Sequence, residues 1–136
     1  MTGRVLHGGT ATGELLVLDA PLSFWGGVDA TGTIVDATHP QCGQRLTGRV
    51  VVMPPAKGSS SSTSVVAEQL RAGTAPAAVV LTRADPIIVL GALVAAELYA
   101  VAMPALVVTD LSGLPTSGWA AVLADGEPGR LRVSAG

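Results

Sequence analysis

Apolar residues along this chain fall into short runs, separated by glycine, proline and hydroxyl-bearing residues. The run Arg49-Val50-Val51-Val52-Met53 is rich in β-branched residues and stopped by Pro54-Pro55. It predicts a short strand buried on both faces. Residues 65–72, Val-Val-Ala-Glu-Gln-Leu-Arg-Ala, predict a helix, and Gly73 stands where a helix stop belongs. Residues 77–81 predict a second buried strand. Asp85-Pro86 opens the next helix, because aspartate caps free amides and proline fits the first helical position. That helix runs to about Tyr99, and residues 104–109 predict a third strand. Strand, helix, strand, helix, strand at this spacing is a βαβαβ unit, whose crossovers favour parallel pairing.

The flanks read differently. Residues 4–7 and 14–18 predict strands around a turn-prone segment, Gly8-Gly9-Thr10-Ala11-Thr12-Gly13. Phe24-Trp25-Gly26-Gly27-Val28-Asp29 sets two of the four aromatics beside a double glycine, with Asp29 suited to hold a turn. Residues 33–43 read as extended chain and loop, and residues 56–64 as a polar loop between strand and helix. Residues 119–125 and 130–133 add two strands at the end. The fold class is therefore α/β, a βαβαβ core with extra β-strands at both ends.

Length and composition narrow the function. The chain has 136 residues, enough for a real core, and with 3% aromatics that core is built from Val, Leu, Ala and Ile. A net charge of −2 with 13% charged residues leaves no basic footprint for nucleic acid. Residues 87–108 are interrupted only by Glu97 and Pro104 and approach the length of a membrane span, about 20 residues. They divide into a helix and a strand, so the expectation is a cytoplasmic protein with no membrane segment. Cys42 is the lone cysteine, which excludes an intrachain disulfide and a standard cysteine set for an iron–sulfur cluster. It reads as a buried small residue.

Chemistry concentrates in Ala56-Lys57-Gly58-Ser59-Ser60-Ser61-Ser62-Thr63-Ser64, between a buried strand and a helix start. Unpaired amides and the dipole at a helix N-terminus favour an anion and would stabilise a serine alkoxide. Lys57 adds a positive charge, and Gly58 permits close approach of a ligand. Residue types alone leave two readings open, an anion or catalytic site and a plain helix cap. A P-loop is excluded, because Lys57 precedes Gly58 and two prolines replace amide donors. His7 and His39 lie far apart and in no metal-spaced cluster, so both read as structural. A swivelling phosphocarrier would need a histidine at the helix-start loop, where this chain has serines.

In their order, these segments resemble the small subunit, or swivel domain, of the aconitase X family. The resemblance rests on residues 24–29, Gly32 through Asp36, His39-Pro40, residues 48–53, Lys57-Gly58-Ser59-Ser60-Ser61, residues 72–78, Asp85-Pro86-Ile87 and Gly91-Ala92. It implies a swivelling β/β/α domain spanning residues 1–136. It implies a partner, a large subunit holding an iron or iron–sulfur centre, so that this chain alone binds no cofactor. The implied reaction is dehydration of a small hydroxy acid. Ser59 falls on the family's serine and would be the base, with Lys57, Gly58, Ser60 and Ser61 binding substrate. The extended hydroxyl run keeps the base within Ser59 to Ser62. Two substrates fit the resemblance, cis-3-hydroxy-L-proline first and mevalonate 5-phosphate second.

Overall fold

Three apolar runs too short for helices and without a polar interruption have to be strands covered on both faces, and the architecture follows from how they are covered. The computed structural model describes residues 1–55 and 61–134. In chain order its elements are β1 (Thr2–His7), β2 (Gly9–Val17), a single kinked turn α1 (Phe24–Gly27) and β3 (Val50–Met53). Then come α2 (Ser61–Ala72), β4 (Ala78–Leu81), α3 (Pro86–Tyr99), β5 (Ala105–Val107), β6 (Trp119–Ala124) and β7 (Gly129–Ser134).

The strands close into a barrel in the order β1-β5-β4-β3-β2-β6-β7. β2, β3, β4 and β5 pair in parallel, with Leu15 opposite Val50, Val50 opposite Ala78 and Val79 opposite Ala105. The rest of the barrel is antiparallel: β2 with β6, β6 with β7, β7 with β1, and β1 with β5. The βαβαβ unit is β3-α2-β4-α3-β5, as the apolar spacing predicts. Alternate residues of its strands point to opposite faces. Val50, Val52, Ala78, Val80 and Leu106 fill the barrel together with Val122 and Leu131. Val51, Met53, Val79 and Leu81 face α2 and α3, meeting Val66, Leu70, Ile88 and Ala92.

Two expectations change. Residues 9–13 are not a turn but the first half of β2, paired residue by residue with β6 from Gly9–Ala124 to Glu14–Trp119. The reason is close approach: a side chain at Gly13 would strike the Gly48 carbonyl oxygen. The second change is that α2 begins at Ser61, so the last four hydroxyl residues of the supposed loop form its first turn. No described helix is long and apolar enough to cross a membrane. The 87–108 stretch divides into α3, a left-handed Ala100 at its C-terminus and β5.

Candidate functional site

The four parallel strands bring their carboxyl ends to one edge, where α/β sheets gather ligands. From that edge leave residues 18–23 toward α1, the loop from β3 to α2, and residues 82–85 toward α3. Asp85 is buried and accepts hydrogen bonds from the amides of Ile87 (2.9 Å) and Ile88 (3.5 Å), so it caps α3 as its sequence predicts. Arg83 lies exposed on the same short loop, a cation that the sequence signals only by standing just before an Asp-Pro cap. The first turn of α2 holds no acidic residue to offset the positive end of the helix.

Of the sequence-predicted site residues, Lys57, Gly58, Ser59 and Ser60 lie outside the described residues, and Ser61 is the first residue of α2. What the described part shows is how the helix start is held. Ser62 is fully buried and its Oγ accepts the Trp25 N–H at 3.2 Å. Thr63 Oγ1 donates to the Ile87 carbonyl at 3.1 Å. These two hydroxyls fasten α2 to α1 on one side and α3 on the other. That bond sets the Trp25 backbone beside the first turn of α2; the residue is 63% exposed, whereas Phe24 is in the core.

The remaining expectations resolve on geometry. His39 is buried; its Nδ1 accepts the Gln41 N–H and its Nε2 donates to the Ala20 carbonyl, each at 3.0 Å. It therefore pins one loop to another, a structural part. Asp29 closes a turn, accepting from the Thr31 amide, the Thr31 hydroxyl and the Thr33 amide. Those bonds, the Thr31 hydroxyl foremost, hold its carboxyl below the usual aspartate range. Cys42, expected to be buried, is exposed on a turn whose backbone bonds run from its N–H to His39. Among the described residues no three His, Cys, Asp or Glu side chains come together as a metal site.

Sequence reasoning missed one feature. A cleft of about 350 Å³ runs along α2 opposite residues 28–30, with Gln69 and Thr74 in its lining. Its one visible signal is a glutamine next to Leu70 on the buried side of an otherwise apolar helix face.

The aconitase X swivel domain, as a family model, matches residues 1–130. The chain belongs to that family. It is 44% identical over 102 residues to the cis-3-hydroxy-L-proline dehydratase of Pseudomonas aeruginosa, a match covering 74% of this chain and 18% of that protein. It thus spans less than a fifth of that relative. The phosphomevalonate dehydratase small subunit of Pyrococcus furiosus is 35% identical over 136 residues, covering 99% of this chain and 96% of the relative. Among solved structures, a chain of holo-form Thermococcus kodakaraensis aconitase X superposes with a TM-score of 0.83 at 34% identity, covering 96% of this chain and 95% of that one. The swivel-domain fold anticipated from the sequence is the one observed, a strand-rich barrel with its two long helices on the parallel side.

Proposed function

We propose that residues 1–136 form a single swivel domain acting as the small subunit of an aconitase X-type dehydratase, and that Ser59 is its base. The observation that carries the reading is the serine loop itself. It connects the carboxyl end of a buried parallel strand to a helix start, in a chain of the aconitase X swivel family. Ser59, as alkoxide, removes a proton from the carbon next to the one bearing the hydroxyl group. The amides and dipole of α2 stabilise the negative oxygen, and Lys57 adds a cation. Gly58, Ser60 and Ser61 hold the substrate carboxylate. Ser62 is engaged elsewhere, buried and accepting the Trp25 N–H, which favours the earlier serines of the run.

Departure of the hydroxyl group falls to a large subunit carrying an iron or iron–sulfur centre, which supplies Lewis-acid chemistry when bound. Nothing in the described residues of this chain fits such a centre. We place the complex in the cytoplasm and assign it cis-3-hydroxy-L-proline as substrate. Mevalonate 5-phosphate is the second reading, favoured by the full-length match to a separate small subunit.

The test is to co-express the chain with its large subunit and assay water loss from both substrates, with and without Ser59→Ala. The expected outcome is one active substrate, and a variant that assembles normally but turns over about 10²–10⁴-fold more slowly. Equal activity of variant and wild type would make Ser59 a helix cap and this chain a non-catalytic module.

A further inference from the structure

Gln69 sits on the buried side of α2, 3% exposed, and neither its Nε2 nor its Oε1 has a hydrogen-bond partner among the described residues. Native proteins rarely leave a buried carboxamide unpaired, because its lost hydration is not replaced. The Thr74 hydroxyl beside it is buried and equally without a partner among the described residues. The two residues are held together by the Thr74 N–H, which donates to the Gln69 carbonyl at 2.9 Å. Both line the cleft of about 350 Å³ whose walls include Val28, Val65 and Ala72, with Asp29 at its rim.

The chemistry of the orphaned groups selects the occupant. A carboxamide presents a donor and an acceptor side by side. A peptide group or a second amide answers both. A carboxylate or phosphate answers only the NH₂ and sets its lone pairs against Oε1, so an anionic substrate is a poor match. The apolar walls accept an aliphatic side chain. The ionised Asp29 carboxylate favours a basic residue at the rim. A body able to supply such a segment exists in this family: the match covers only 18% of the P. aeruginosa protein, so most of that chain lies outside the swivel domain.

We infer that a peptide segment of the large subunit docks in this cleft, pairing an amide with Gln69 and laying an apolar side chain against Val28 and Val65. The inference rests on the reading of this chain as a small subunit. Docking requires a change of Gln69 rotamer that brings its carboxamide, buried in the free chain, out to the docked amide. Docking there grips the same helix that begins at the end of the serine loop, so assembly and placement of the base are mechanically joined.

The test is calorimetric titration of the cognate large subunit with wild type, Gln69→Leu and Ala72→Trp, alongside melting of each free chain. Free Gln69→Leu should melt at or above the wild-type temperature, since an apolar side chain of similar size removes the unpaired amide. It should nevertheless bind the large subunit at least about tenfold more weakly, the loss of one well-made buried contact. Ala72→Trp, at an exposed position on the lip, should keep the melting temperature, obstruct the cleft and lose at least as much affinity. It decides the matter alone if Gln69→Leu does not fold. Both variants binding within about twofold of wild type would overturn the inference while leaving the small-subunit reading intact. A small molecule retained by the wild-type chain and lost from Gln69→Leu, with subunit affinity unchanged, would also overturn it. No binding by wild type would defeat the small-subunit reading itself, and the docking inference with it.

Discussion

Asp29 shows what one charged residue contributes here and when. Its carboxylate accepts three hydrogen bonds from Thr31 and Thr33, and these favour the ionised form, so the folded-state pKa lies below the ordinary value. A depressed carboxyl pKa adds stability that is complete above the unfolded pKa, about 3.9, and is lost as pH falls through the lower folded value. Asparagine keeps an acceptor oxygen but not the charge. Asp29→Asn should therefore lower the urea midpoint at pH 7, and the gap from wild type should narrow as the pH drops below about 4. A gap that stays constant down to pH 2.5 would show that the charge on these bonds contributes nothing. Residues of this kind were legible: an aspartate beside a double glycine suits a turn. Cys42 and Gln69 were not. Cysteine is buried by general preference, and only the turn after His39 sets this one at the surface. An orphaned carboxamide is a property of everything packed around it, so no local pattern announces it.

The contact between α2 and α3 depends on one missing side chain. At Gly91 a Cβ atom would lie 2.8 Å from Val66 Cβ and Cγ1 and 3.0 Å from the Thr63 carbonyl oxygen. Gly91→Ala should destabilise the chain by about 1–3 kcal/mol through overpacking. Val66→Ala alone should cost on the order of 2 kcal/mol for the cavity it leaves. Because the two changes meet at the same point, the double variant should lose less than the sum by at least about 0.5 kcal/mol in urea unfolding. Strict additivity would mean that the helices slide apart instead of clashing. The helix ends read well from sequence at Asp85, whose side chain caps α3, and at Gly73, whose φ of 78° suits the residue after a helix. The start of α2 did not. Ser62 and Thr63 are poor helix formers in isolation, and their hydroxyls are satisfied by Trp25 and Ile87, partners 37 and 24 residues away. Long-range bonds of that kind override local propensity.

Closure of the barrel is the feature farthest from the sequence pattern. The βαβαβ unit is built from neighbours in the chain, whereas closure needs β1 to reach β5 and β7 across nearly the whole length of it. Strand pairing over such separations leaves no periodic trace, and a glycine that permits close approach looks identical to one that permits a turn. The consequence is testable. β1 places Val5 opposite Leu106 and pairs Thr2 and Gly3 with Arg130 and Gly129. Leu106 and Leu131, at 0% and 1% exposure, lie in the interior that it seals. Deleting residues 1–8 would open two strand edges and wet that interior, at several kcal/mol for the leucines and valines involved. For a chain of this size a loss of that order lowers the melting temperature by roughly 10 °C or more. Calorimetry of the truncated chain should show that drop, or no cooperative transition at all. If it melts cooperatively within a few degrees of the intact chain, the parallel half with its two helices is self-sufficient. The antiparallel strands would then be a cover on it, and the barrel would not be the unit of folding.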